Sequence, residues 1–246
     1  MMWYFSFRRD QILGIVCLGA IIWSLSQVYS HAAVPVFYMP LSRQIVWIDA
    51  GHGAFDPGVV RGSVEEKDIN LAIALKLQGF LEAGGATVFV TRLDDEAISS
   101  TKQGDMYARR VMANASRADI FVSIHQNSFP KDSVHGAQVF YFNTSDNSRK
   151  LAEHIQQQLK EFILPHNRYE AKPNRQYYVL RQTMMPAVIV ECGFVTNHAE
   201  RSRLVKEDYQ EKIAWGIYLG IVQYFNMASE TDESGESNGT NGEAVN

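Results

Sequence analysis

An apolar run that ends in a histidine between two glycines constrains the fold of this chain more than any other feature. The run begins at Ile45 and reads I-V-W-I-D-A-G-H-G, which predicts a buried strand with His52 at its carboxyl end. The glycines allow other groups to approach the histidine closely. Farther along, Glu66 opens a segment whose apolar residues recur at helical spacing. His52 and Glu66 are therefore predicted to face one cavity.

These two residues also fit a simpler interpretation. His52 could be a hydrogen-bonded loop histidine, and Glu66 could merely favour the N-terminus of a helix. A phosphate-binding loop is a poorer interpretation, because Gly51, Gly53 and Gly58 match neither the dinucleotide-binding spacing nor the P-loop spacing. Nucleotide binding is therefore not predicted.

Two further apolar runs each lead into a candidate functional residue. The run from Asp119 to Ile124 leads into His125, and the run that begins at Ala187 leads into Glu191. An ionised carboxylate is costly to bury without a metal, a cation or a shared proton, so Glu191 needs a partner. A catalytic role and a structural ion pair, with Arg181 as the candidate partner, both fit this position.

The order of the remaining elements predicts a parallel or mixed sheet. The predicted helices cover residues 66–83, 102–117 and 147–164, with another from Ala199. The other predicted strands cover residues 86–91, 136–142 and 177–180. Together these elements form a single folded domain over residues 44–227.

The N-terminus has the layout of an export signal. Arg8 and Arg9 precede an apolar run over residues 12–23, and polar and small residues follow. The run is short for a membrane-spanning helix of about 20 residues. Residues 1–33 are therefore predicted to be a signal peptide or an N-terminal membrane anchor, with a buried helix as the alternative. Residues 34–43, which contain two prolines, are predicted to be a linker.

The C-terminus differs in composition from the domain. Residues 228–246 are rich in Ser, Gly and Asn, carry five acidic and no basic residues, and are predicted to be a disordered tail. Once these five are set aside, 23 basic residues face 22 acidic ones, which gives no basic surface for nucleic acid. Cys192 is the one cysteine outside the N-terminal apolar run, so no disulfide is expected within the domain.

Four motifs, in this order, resemble those of the zinc-dependent N-acetylmuramoyl-L-alanine amidases. They are G-H-G-x-x-D-P-G, E-K-D-x-N-L, A-D-I-F-V-S-I-H-x-N and M-P-A-V-I-V-E-x-G-F-V-T-N. The resemblance covers residues 44–226 and implies an α/β fold with a largely parallel or mixed central β-sheet flanked by helices. Ala54 and Cys192 depart from residues common in the family, at positions that are not implied ligands.

The resemblance also implies the site. It places a Zn²⁺ ion on His52, Glu66 and His125 and makes Glu191 the catalytic carboxylate. Two histidines and one carboxylate leave an open coordination position, as catalytic zinc sites do. The sequence does not identify the group that would stabilise the oxyanion, and Arg181 is a candidate from its position alone.

The implied reaction is hydrolysis of the amide between the lactyl group of N-acetylmuramic acid and L-alanine in peptidoglycan, with Glu191 moving the protons. The compact form resembles amidases of spore-forming bacteria that modify cortex peptidoglycan, and vegetative wall turnover is the alternative role. The enzyme would be exported to the cell envelope and would contact the membrane only through its N-terminal segment. A zinc peptidase acting on the stem peptide and a non-catalytic envelope-binding module are the alternative functions.

Overall fold

The computed structural model describes residues 8–30 and 39–236. The chain divides into two compact units, residues 1–38 and residues 39–246. In the first unit, helix α1 (Arg9–Ser30) covers most of the predicted signal or anchor, and its described apolar side chains are exposed. Within the two described ranges, no helix combines the length and the apolar character needed to cross a membrane. Residues 34–38, half of the predicted linker, lie outside the described residues.

A mixed six-stranded sheet forms the centre of the second unit, in the order β4-β1-β5-β8-β6-β7. Four of its pairings are parallel, and the pairing of β6 with β8 is antiparallel. A two-stranded pair, β2 with β3, stands apart from it. The strands are β1 (Ile45–Ala50), β2 (Val60–Arg61), β3 (Val64–Glu65), β4 (Thr87–Val90), β5 (Ile120–Asn127), β6 (Gln138–Phe142), β7 (Lys172–Asn174) and β8 (Ala187–Phe194).

Helices cover both faces of this sheet. They are α2 (Glu66–Ala83), α3 (Lys102–Ala115), α4 (Asp146–Gln158), α5 (Tyr178–Gln182), α6 (His198–Leu204) and α7 (Glu207–Glu236), and a π-helical turn (Leu159–Ile163) extends α4. The predicted α/β class and mixed central sheet are confirmed.

Alternation along the strands divides the apolar residues between two cores. Ile120, Val122 and Ile124 of β5 enter the larger core, together with side chains of α2, α4 and α7. Phe121 enters the smaller core, with side chains of α3 and α5. His125 and Phe121 are an even number of positions apart, so their side chains point to the same face of the sheet. His125 therefore points to the α3 and α5 side, at the carboxyl end of the strand. A pocket lined by His52, His125 and Glu191 lies at this end.

A close helix contact supports the larger core. A Cβ atom at Gly220 of α7 would lie 2.5 Å from the Cα atom of Ile155 in α4. Only glycine permits this approach, which brings helix α7 into close contact with helix α4.

One predicted strand is wrong. Residues 177–180 do not extend, because helix α5 begins at Tyr178. Asn174 Oδ1 accepts hydrogen bonds from the backbone N–H groups of Gln176 and Tyr177, which turns the chain at this point. A four-residue apolar run does not distinguish a strand from a helix by periodicity, so the sequence contained no signal against the strand.

The C-terminal helix is longer than predicted. Helix α7 continues to Glu236, whereas the sequence predicted disorder from residue 228. Helix propagation adds one hydrogen bond for each residue fixed, so a helix anchored by an apolar face can continue into a polar sequence. Residues 237–246, the remainder of the predicted tail, lie outside the described residues.

Candidate metal centre

Three elements bring the predicted ligands together. His52 follows β1, Glu66 is the first residue of α2, and His125 lies in β5. One potential ligand atom from each lies within 4.8 Å of the others. His52 Nε2 is 3.2 Å and His125 Nδ1 is 3.0 Å from Glu66 Oε1. The predicted set thus forms one cluster.

The backbone around this cluster requires glycine. A Cβ atom at Gly51 would lie 2.3 Å from the imidazole of His125, and a Cβ atom at Gly58 would lie 2.5 Å from Glu66 Oε2. His52 itself has a φ of 63°, in the left-handed region. Such a conformation is costly outside glycine and persists only where surrounding contacts hold it. The conformation of the loop after β1 therefore determines the position of His52.

Glu66 is an ionised carboxylate in a buried position. Burial opposes its ionisation, but hydrogen bonds and charge from His125 and His52 outweigh this effect and hold the pKa of the carboxyl well below its usual range. Backbone N–H groups of Val59 and Gln126 also donate to its two oxygens, at 2.9 and 3.0 Å. A fixed anion between two imidazoles matches the donor set that catalytic zinc sites use.

A second carboxylate orients His52. Asp56 Oδ2 lies 2.8 Å from His52 Nδ1, which directs the other ring nitrogen, Nε2, towards Glu66. Lys102 Nζ lies 3.1 Å from the same Asp56 oxygen and fixes it from the rim of the pocket. Contacts of this kind set the tautomer and ring orientation of metal-binding histidines.

A buried ion-pair network holds the loop backbone. Arg109 of α3 donates to the carbonyl oxygen of His52 at 2.6 Å and pairs with Asp49 at 2.7 Å and with Asp105 at 2.5 Å. Burial opposes ionisation of Asp49, but Arg109 and a hydrogen bond from Ser123 lower its pKa to about 2. Sequence reasoning missed this network. A charged residue inside the apolar run of β1 was its one signal, because such a residue needs a partner.

Glu191 lies next to this cluster in the sheet. Its Cα pairs with that of His125 across β8 and β5, and both side chains line the same pocket. Burial raises the pKa of Glu191 to about 7, with the charge of Glu66 adding to the increase and that of His125 opposing it. Its Oε2 atom is buried and has no hydrogen-bond partner among the described residues. An unpaired buried carboxylate oxygen calls for an explanation, and a catalytic role is one.

The ion pair considered for Glu191 is not present. No salt bridge joins Glu191 to a basic residue in the described part of the chain, and Arg181 is exposed on α5 outside the pocket lining. Tyr177, just before α5, takes the place beside Glu191, with its hydroxyl 3.5 Å from Glu191 Oε1. Sequence reasoning missed Tyr177 because it placed this segment in a strand.

The pocket has a volume of about 140 Å³ and lies between the sheet edge and helices α3 and α5. His52, His125, Glu191, Met106 and Tyr177 are among the residues that line it. The arrangement combines a three-residue cluster that could hold a metal ion with a buried carboxylate outside that cluster. That combination suits metal-assisted hydrolysis.

Comparison with known proteins agrees with this geometry. Residues 46–223 match the Amidase_3 family, described as N-acetylmuramoyl-L-alanine amidase. The germination-specific N-acetylmuramoyl-L-alanine amidase of Bacillus subtilis (strain 168) is 34% identical over 203 residues, which cover 79% of this chain and 85% of that protein.

A solved structure of the CwlD amidase from Clostridioides difficile, in complex with the GerS lipoprotein, has 39% sequence identity and a TM-score of 0.72. The match covers 75% of this chain and 100% of that one. The amidase LytC of Bacillus subtilis (strain 168) is 33% identical over 188 residues, 76% of this chain and 36% of LytC.

Proposed function

The chain belongs to the N-acetylmuramoyl-L-alanine amidase family, and we propose that its pocket cleaves the amide between N-acetylmuramic acid and the L-alanine of the peptidoglycan stem peptide. The predicted family and the predicted enzyme class are thereby confirmed. The meeting of His52, Glu66 and His125 with Glu191 at one pocket is the observation that carries the proposed reaction.

His52, Glu66 and His125 hold the metal in this proposal, with Zn²⁺ as the ion. Two imidazole nitrogens and one carboxylate oxygen suit zinc and leave a position open for catalysis. When bound, such an ion supplies Lewis-acid chemistry at the scissile carbonyl. The surrounding chain contributes rigidity, since Asp56 orients one ligand and Arg109 holds the backbone that carries it.

Glu191 moves the protons. Its Oε2 atom accepts a proton from the attacking water, and the same carboxyl group then protonates the leaving amine of L-alanine. The unpaired, buried state of Oε2 supports this role, because a structural carboxylate would have a hydrogen-bond partner for each oxygen. Burial also favours proton exchange, because it disfavours the ionised form of the Glu191 carboxyl group relative to water.

Peptidoglycan is the proposed partner of the domain, with a role in spore cortex modification or germination. The germination-specific relative and the CwlD amidase support this role. The nearly balanced charge of the domain agrees with the absence of a nucleic-acid partner in the proposal.

Digestion of purified peptidoglycan by the full chain, followed by mass spectrometry, tests the proposed reaction. We expect free stem peptides that begin at L-alanine, together with glycan strands that have lost them. Shortened stems still attached to the glycan would indicate a peptidase instead. Unchanged muropeptides would indicate a binding module, and either of these outcomes would contradict the proposal.

The proposal places the enzyme outside the cytoplasm, where its substrate lies. Arg8, Arg9 and the apolar residues 12–23 support export. A reporter enzyme fused after Ala33 is expected to be active beyond the cytoplasmic membrane. Reporter activity confined to the cytoplasm would contradict export, and N-terminal sequencing of the mature protein would distinguish cleavage from anchoring.

A further inference from the structure

We propose that Tyr177 is a positioning residue for Glu191. Its hydroxyl group holds Glu191 Oε1, so that Oε2 becomes the oxygen that exchanges the proton. This inference rests on the proposed function, because it concerns the residue that moves the protons there.

The two oxygens of Glu191 have different surroundings. Oε1 lies 3.5 Å from the hydroxyl oxygen of Tyr177, whereas Oε2 is buried without a hydrogen-bond partner among the described residues. The distance is at the long end for a hydrogen bond, and contacts of this kind often shorten when the substrate binds. A carboxylate held at one oxygen keeps the other aimed in a single direction, which favours proton transfer.

Tyr177 is itself held in place from two sides. Its backbone N–H donates to Asn174 Oδ1 at 3.0 Å, which fixes the turn before α5. Its ring packs edge-on against Phe140 of β6, with the ring centroids 5.6 Å apart. Phe140 pairs with Ile189 of β8, two residues before Glu191. The same pair of strands therefore supports both the carboxylate and the ring that contacts it.

The hydroxyl of Tyr177 acts as a donor. Burial raises the pKa of Tyr177 above its usual range, and the charges of Glu191 and Glu66 add to the increase. The group therefore keeps its proton around neutral pH and cannot compete with Glu191 as a base. Its hydroxyl lies beside the carboxylate, and Tyr177 is not part of the three-residue cluster that could hold a metal.

Tyr177→Phe removes the donor and keeps the ring that packs on Phe140. We expect kcat to fall about 10–100-fold, the range for loss of a contact that orients a functional group. KM, zinc content and melting temperature should change little, because the ring and the metal ligands remain. Tyr107→Phe is the matched control, since it removes the same atom from an exposed side chain of α3 outside the pocket lining.

A double-mutant cycle separates positioning from direct contact with the substrate. In a Glu191→Gln background, Tyr177→Phe is expected to cause no further loss beyond about 2-fold, because the carboxylate it positions is already absent. A second loss as large as in the wild-type background would show that Tyr177 acts on the substrate itself and would overturn the inference.

The proposed function can be judged separately. Wild-type turnover by Tyr177→Phe, with an inactive Glu191→Gln, would overturn the role of Tyr177 and leave the amidase mechanism standing. A fully active Glu191→Gln enzyme would overturn both, because no proton-transferring carboxylate would then need a positioning residue.

Discussion

Replacement of Glu191 by glutamine is expected to lower amidase turnover by about 10²–10⁴-fold, the usual contribution of general acid–base catalysis. Glutamine has nearly the same shape but cannot exchange the proton. Zinc content should stay constant, because Glu191 is not among the three clustered residues proposed as ligands. The melting temperature should not fall, because Glu191 has no ion pair in the described part of the chain. Release of stem peptides measures turnover, and metal analysis and thermal unfolding complete the test.

Glu200→Gln is a matched control for this change. Glu200 is also a buried glutamate, but its two oxygens accept hydrogen bonds from the backbone N–H groups of Gly136 and Phe194, at 3.0 and 2.8 Å. Glutamine would present an NH₂ group to one of these donors, which costs about 1–3 kcal/mol of stability. Glu200→Gln should therefore unfold at a lower temperature but keep its activity per folded molecule. The same pattern in Glu191→Gln would contradict a catalytic role for Glu191.

Loss of one ligand should empty the metal centre. His125→Ala removes one of the three proposed protein ligands, and we expect little zinc to remain after dialysis and activity to fall to background. Asp56→Asn leaves all three ligands but weakens the contact that orients His52. We expect it to bind zinc about 10–100-fold more weakly. Competition with a chelator measures both effects.

His135→Ala is the control for this series. His135 is exposed on the loop before β6, and its Nδ1 lies 3.0 Å from the carbonyl oxygen of Ser133. Its removal should leave zinc affinity and turnover unchanged. Full zinc content in His125→Ala, or equal zinc loss in His135→Ala, would refute the ligand assignment.

Most of the sheet, and the pocket residues that lie in the motifs, could be predicted from the sequence. Apolar runs with a sharp polar end predicted β1, β5 and β8, and these strands lie side by side, so their functional ends meet at one edge. His52, His125 and Glu191 could be found because each stands at such an end. Glu66 could be found because helical periodicity begins with it.

The supporting contacts could not be found in this way. Arg109 reaches the loop after β1 across 57 positions of the chain, and periodicity gives no pairing at that range. The position of Tyr177 could not be predicted without knowing whether its segment is a strand or a turn. A run of four apolar residues does not distinguish the two. Asp56 lay inside a recognised motif, but its contact with His52 follows from the loop conformation, which the sequence pattern does not give.

The dispersal of the three proposed ligands along the chain would link the metal to folding. Glu66 and His125 are 59 positions apart, so an unfolded chain would have to close a long loop before it offered all three ligands. The proposed ion would therefore bind the native chain far better than the unfolded one. At a free concentration 100 times the Kd, such selective binding stabilises the native state by about 2.7 kcal/mol. On this proposal, the zinc supply of the compartment in which the enzyme folds would help to set how much native enzyme is present there.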